Sequence, residues 1–277
     1  MKKLKKSFVL MLVLTMLSAL TIGCEKSTTE PNEVEKEVEI ASTEKPLEGK
    51  HLRLAINATF PPFESVQIVN GKTNYIGMDL DLVDNLSDKL GFTYEITDMS
   101  FAGLVGALQT DRADFVCSGI SPTEERLESI DFSVSYYYPG IAVISKKDSQ
   151  FTDIESIKGK TIIVGFGTTY ENWAMNNIEG AEVKAMDGTP AVVQEVKIGR
   201  GEAGILDANQ AAEFIKENPE LQFNVLEYDR SKENSFAIAF QKDSELVEIF
   251  DAELNKMLEN GEMDELIVKW CGEEFAN

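Results

Sequence analysis

The chain has 277 residues, a formal net charge of −22, 43% hydrophobic residues, three cysteines and one histidine. That length suffices for two modest domains or one large one with real cores. So acidic a chain is a poor partner for the phosphates of nucleic acid, and it contains neither C-x-x-C nor H-E-x-x-H.

The amino terminus carries four lysines, an apolar run and then small residues ending in Gly23-Cys24, the layout of a secretory signal. An uncleaved membrane helix over 7–23 is the alternative, and the cysteine argues against it. A cysteine directly after the small residue resembles the bacterial lipobox, with Thr21 where that motif usually has leucine. The resemblance implies that 1–23 is a lipoprotein signal peptide and that lipidated Cys24 becomes the first residue of the mature protein. Losing the four lysines takes the formal charge from −22 to −26. Residues 24–48 are polar and acidic with few large apolar groups, and read as a disordered tether. No later stretch reaches transmembrane length, so the remainder is expected to be soluble outside the cytoplasmic membrane, which holds it by its lipid.

From His51 short apolar runs alternate with helical periods, the α/β pattern. HLRLAI at 51–56 reads as a strand, and Asn70-Gly71 between extended pieces marks a hairpin. Leu80, Val83, Leu86 and Leu90 form one face of a helix closed by Gly91. Strand 92–96, helix 101–110 and strand 113–118 follow. The long extended stretch 132–147, broken by Pro139-Gly140, suggests a first crossing between domains near Tyr138 to Gly140. A second set comes next: strand 161–166, helix 169–177, strand 181–186, helix 190–199, strand 203–207, helix 209–219 and strand 222–228. The segment Tyr228 to Lys232 leads to strand 235–240, a helix from Ser244 and a last helix ending near Trp270. Two connections joining two lobes make a hinge.

Several residues could carry chemistry. In SGISPTEER, 118–126, Ser121 suits an N-cap, Pro122 the first helical position and Glu124 the capping box. Arg126 does not suit the positive end of a helix dipole, so either it pairs with a neighbouring glutamate or the segment receives an anion. Phe60 and Phe63 lie in NATFPPFES, read as a loop at a strand's C-terminal end; Phe63 suits the core, while Phe60 suits either the core or a pocket. GFGTTYEN, 165–172, has Tyr170 at the third position of G-x-G-x-x-G, which weakens a dinucleotide reading and leaves a helix N-terminus with Thr168 and Glu171 in capping-box spacing. Neither G-K-T triplet has the upstream glycine of a phosphate loop. Asp207 ends a strand and either caps the next helix or meets a ligand ammonium. Cys117 and Cys271 could pair in an exported protein, or Cys117 could be a buried thiol.

In order, the segments ATFPPFES, GMDLDLVDNL, FAGLVGALQ, SGISPTEER, IDFSVSYY, GKTIIVGFGTT and GEAGILDA resemble those of the amino-acid-binding receptors of bacterial ABC importers, solute-binding protein family 3. The resemblance runs from about Lys50 to Trp270. It implies a two-lobe type II periplasmic-binding-protein fold, with lobe 1 at 49–138 plus 231–277 and lobe 2 at 139–230. It also implies a monomeric receptor, without catalytic residues, metal or cofactor, that delivers a free L-amino acid to a membrane permease and its ATPase. Phe60 and Phe101 fall where the family sandwiches the ligand side chain. Gly119, Ser121, Arg126 and Thr169 fall at its carboxylate site, and Asp207 at its ammonium site. Asn57 stands where several relatives have an aspartate that binds side-chain donors. Together with Gly165 and Tyr170, it turns the expectation toward a polar uncharged or larger flat side chain. The rivals are a dehydratase of the same fold acting on a prephenate-like or arogenate-like substrate, with Glu64 or Asp207 as its acid, and an amino-acid sensor.

Overall fold

The structure is a computed structural model that describes residues 45–227 and 231–273. The signal peptide, Cys24 and residues 24–44 of the tether lie outside the described residues; 45–48, expected to be disordered, instead form a turn whose Leu47 is buried in the core, with its N–H donating to Leu90 O at 2.8 Å. Two five-stranded sheets organise the chain. The first has the order β5-β1-β6-β13-β7, from β1 (His51–Ile56), β5 (Thr93–Asp98), β6 (Phe115–Val116), β7 (Ile130–Tyr137) and β13 (Phe236–Gln241). β1 runs parallel to β5 and β6, whereas β13 returns antiparallel between β6 and β7.

Helices cover both faces of this sheet because its strands are apolar on both sides. α1 (Met78–Leu90), α7 (Leu246–Glu259) and α8 (Glu262–Cys271) pack one face through Leu82, Leu86, Phe250, Leu254 and Ile267. α2 (Leu104–Gln109) packs the other through Leu104, Ala107 and Leu108. Gly91 closes α1 in the left-handed conformation at φ 90°, as the sequence predicts.

The second sheet has the order β10-β9-β11-β8-β12, from β8 (Ile141–Lys146), β9 (Thr161–Gly165), β10 (Glu182–Met186), β11 (Ala203–Asp207) and β12 (Leu221–Glu227). α4 (Thr169–Asn177) covers one face through Tyr170 and Ala174. α5 (Thr189–Ile198) and α6 (Ala208–Glu217) cover the other through Val192, Val196 and Ala211. The chain leaves the first sheet at Tyr137 and enters the second at Ile141. It returns between β12 and β13, a passage that includes residues outside those described.

A small antiparallel sheet of β2 (Thr59–Phe60), β3 (Glu64–Val69) and β4 (Lys72–Ile76) flanks the first. Asn70 and Gly71, at φ 52° and 74°, make its hairpin. β2 departs from the loop expected at 57–65: Thr59 and Phe60 pair with Ser65 and Glu64 before Pro61, which has no N–H to extend the ladder, ends the strand. The helix expected to start after Ser121 starts later, as α3 (Glu124–Leu127), with the Thr123 hydroxyl accepting from Arg126 N–H. The cap is thus Thr123 rather than Ser121, whose carbonyl accepts from Thr123 N–H and from the Arg126 guanidinium. The expected helix at 101–110 opens as a 3₁₀ turn, Phe101–Gly103. Cys117 and Cys271 are separate thiols, the first buried.

Candidate functional site

The parallel strands of both sheets aim their C-terminal ends at one cleft, the edge where open α/β sheets bind ligands. A pocket occupies it. Asn57 follows β1, Gly119 and Ser121 follow β6, Gly165 ends β9, Gly188 follows β10 and Leu206 lies at the end of β11. Of the eight expected ligand residues, Asn57, Phe60, Phe101, Gly119, Ser121, Arg126 and Thr169 line this cavity. Asp207 does not reach the wall; it sits behind it, between the lining residues Leu206 and Gln210.

Arg126 anchors one side. Its Nη1 donates to Ser121 O at 2.8 Å and its Nη2 crosses the cleft to Gly167 O at 2.9 Å. The guanidinium carbon lies 5.5 Å from the centre of the Phe101 ring, within cation–π range. Burial lowers its pKa to about 10, against the field of Glu125. Among the described residues no carboxylate comes within ion-pair distance of it. A half-buried cation whose protein partners are two carbonyls retains capacity for an anion.

Asp207 is fully buried. Its Oδ1 accepts from Gln210 N at 2.8 Å and caps α6, while Oδ2 has no hydrogen-bond partner among the described residues. Burial pushes its pKa up to about 7, opposed by the backbone N–H groups of Gln210, Asn209 and Ala208. Its capping role is thus real and occupies half of its carboxylate. Gln210 does not complete a capping box: its side-chain amide donates to Thr189 Oγ1 at 2.6 Å.

The aromatic wall depends on packing behind it. Phe60 stacks on buried Phe63 at 4.9 Å, so the two rings divide the roles of pocket and core. Gly119, at φ 50°, lies against Phe60, and a Cβ there would stand 2.3 Å from the ring. Asn57 is nearly closed off, with Nδ2 donating to Met99 O at 2.7 Å and Oδ1 accepting from the Thr59 hydroxyl at 2.6 Å. Opposite, the Thr168 hydroxyl caps α4 by accepting from Glu171 N, and Glu171 Oε2 accepts from Gly167 N rather than closing the box on Thr168. Tyr170 lines the cavity with a hydroxyl that has no partner among the described residues.

Sequence reasoning missed Phe166, Thr168, Gly188, Thr189, Ile205, Leu206 and Gln210 as lining residues. Gly188-Thr189-Pro190 carried a usable signal, because proline in a first helical turn places a helix N-terminus there. Ile205 and Leu206 carried none, being indistinguishable from core. Glu64 lies behind the wall, fully buried. Neither Glu64 nor Asp207 faces the cavity, and among the described residues no group of three His, Cys, Asp or Glu could hold a metal.

The model of the bacterial extracellular solute-binding proteins, family 3, matches residues 52–273. The arginine-binding extracellular protein ArtP of Bacillus subtilis is 35% identical over 223 residues, covering 80% of this chain and 86% of that protein. Among solved structures, the amino acid ABC transporter substrate-binding protein AbpA from Streptococcus pneumoniae, bound to L-arginine, superposes with a TM-score of 0.74 at 29% identity, over 82% of this chain and 96% of that one. The ancestral amino-acid-binding protein AncCDT-1, a precursor of cyclohexadienyl dehydratase, gives 0.71 at 28% identity, over 80% and 95%.

Proposed function

The chain belongs to the bacterial extracellular solute-binding proteins, family 3, and on that premise we propose that it is the amino-acid receptor of an ABC transporter, closing on one free L-amino acid and handing it to the permease. One observation carries this reading: a half-buried guanidinium without a carboxylate partner among the described residues lines the cleft, and a buried carboxylate oxygen without a hydrogen-bond partner lies just behind it, on a different sheet. The carboxylate of an amino acid suits Arg126 with Ser121 and the N-terminus of α4 at Thr169. Its ammonium suits Asp207 and requires a small movement of Leu206 or Gln210. Phe60 and Phe101 then flank the side chain.

The charge inventory narrows the cargo. Among the described residues the wall bears one cation, Arg126, and Asp207 lies behind it with a free carboxylate oxygen; these match the two charges of the zwitterion. A charged side chain would find no further counter-ion on the wall, so a neutral one is favoured. Arginine is the competing cargo, because Phe60 and Phe101 could hold a guanidinium by cation–π contact and because ArtP and AbpA bind it. A thermal-shift panel of the twenty L-amino acids with L-cystine and L-ornithine decides, and the expected result is stabilisation by neutral members. Stabilisation by none would overturn the receptor reading. Prephenate and arogenate, incubated with the protein, should give no product.

The lobes are proposed at 49–138 with 231–277 and at 139–230, hinged near Tyr138 to Gly140 and Tyr228 to Lys232. The protein is proposed to act outside the cytoplasmic membrane as a monomer on a diacylated Cys24, since one acyl chain holds only marginally. Labelled palmitate should enter the wild-type protein and not Cys24→Ser.

A further inference from the structure

We propose that Glu64 and Asp79, two buried carboxyl groups behind the cleft, share one proton and act as positioning residues that fix the wall formed by Asn57 and Gly119. The inference rests on the reading of the cleft as an amino-acid site. Both side chains are fully buried, and among the described residues no cation comes within ion-pair distance of either. Their hydrogen bonds lead directly to the wall. Asp79 Oδ2 accepts from Gly119 N at 2.8 Å, and Oδ1 accepts from Tyr136 OH at 2.9 Å. Glu64 Oε1 accepts from the Ser118 hydroxyl, which in turn accepts from Asn57 N at 2.9 Å.

Asp79 N donates to Phe63 O at 3.0 Å, and the two carboxyl groups bind the adjacent residues Ser118 and Gly119, so they lie side by side; two carboxylates so placed can hydrogen-bond each other only with a proton between them. The donors decide where it resides. Asp79 already receives two N–H or O–H groups and lies in the first turn of α1, where the dipole favours an anion. Glu64 Oε2 receives no donor among the described residues, so it is the oxygen that holds the proton and donates to Asp79. Burial, then the charge of Asp79 and more weakly that of Asp98, holds the Glu64 carboxyl well above its usual range, while Asp79 rises to about 6. Tyr136 and Cys117, the other titratable groups facing the pair, are themselves pushed up by burial and stay neutral.

The consequence for binding is steric. Gly119 touches Phe60 so closely that its backbone cannot advance toward the ring, and its bond to Asp79 prevents retreat. Phe60 is in turn paired across the ladder with Glu64. The proton therefore holds the aromatic wall and the backbone of the carboxylate segment in one register.

The test combines infrared spectra with calorimetry on the full-length protein against the same amino-acid panel. At about pH 8 the wild type should show a protonated-carboxyl band that both Glu64→Gln and Glu64→Leu lose. For the amino acid that stabilises wild type most, Glu64→Leu should bind at least tenfold more weakly. Glu64→Gln should recover to within about fivefold, because its amide donates to Asp79 and accepts from Ser118. Asp79→Asn should stay at least tenfold weaker, since an amide nitrogen would face Gly119 N–H or Tyr136 OH. Should Asp79→Asn fail to fold, the two Glu64 variants still decide. Wild-type binding that Glu64→Leu leaves intact, no rescue by Gln, or no carboxyl band sinks this inference alone. A wild type that binds no member of the panel sinks the receptor reading with it.

Discussion

Arg126 is the residue on which the ligand reading turns, because its partial burial is compensated by two carbonyls and, among the described residues, by no carboxylate. Truncating one member of a buried hydrogen-bonded charge pair costs about 2–5 kcal/mol, and each 1.4 kcal/mol is about tenfold in affinity. Arg126→Ala should therefore weaken calorimetric affinity by tens-fold or more. Arg126→Lys should not restore it, because an ammonium lacks the planar fork. Asp207 yields a pH prediction. Burial raises it to about 7 from about 4 in an unfolded chain, so between those values the folded ligand-free protein keeps a proton that the unfolded chain has lost. Ligand-free stability falls as pH rises through that window, and Asp79, raised to about 6, adds the same sign. An ammonium needs the ionised carboxylate, so affinity should rise from pH 5 to 7 while the ligand-free melting temperature drops. Asp207→Asn should flatten the affinity profile; an unchanged slope would remove Asp207 from the site. At this scale the sequence was informative where a residue type broke a local rule, such as an arginine at a helix start. It was silent for Ile205 and Leu206, whose identities are those of any core strand.

Elements were legible wherever period and punctuation agreed. β1, β11 and α4 have the limits read from sequence, since an apolar run bounded by polar residues or a threonine cap leaves little freedom. β2 and the start of α3 were not legible, because each is decided by hydrogen bonds that residue type does not announce: β2 by its ladder to β3, and α3 by the Thr123 hydroxyl accepting from Arg126 N–H. The glycines bounding β4 give a controlled comparison. Gly71, at φ 74°, has open space where a Cβ would lie, whereas at Gly77, at φ 145°, a Cβ would meet Phe63 O at 2.0 Å. Gly71→Ala should cost about 1–2 kcal/mol for its left-handed backbone alone. Gly77→Ala should cost clearly more in urea denaturation, because backbone must move; equal losses would mean that the junction between the small sheet and α1 yields freely.

For the whole molecule, the segment order implied two α/β lobes, and the two five-stranded sheets have that arrangement. What the sequence could not convey is how nearly the lobes touch, since a distance across a cleft leaves no periodic trace. A Cβ at Gly167 would come within 3.2 Å of Ala102, and Arg126 already reaches Gly167 O. On the proposed reading, these bridges across the cleft must part for an amino acid to enter, so capture draws on an open population that the ligand then depletes. Small-angle scattering should show the radius of gyration falling when the best ligand of the panel is added; an unchanged radius would mean a rigid site. The Arg126–Gly167 bond also bears on unloading. On the proposed reading one guanidinium holds both the cargo and the opposite lobe, so grip and latch are one part. A permease that prises the lobes apart must draw Arg126 away from Gly167, and the same stroke separates the cargo from its lobe 2 contacts. The receptor thus needs no separate signal to let go, because the mechanical act of being opened is itself the release.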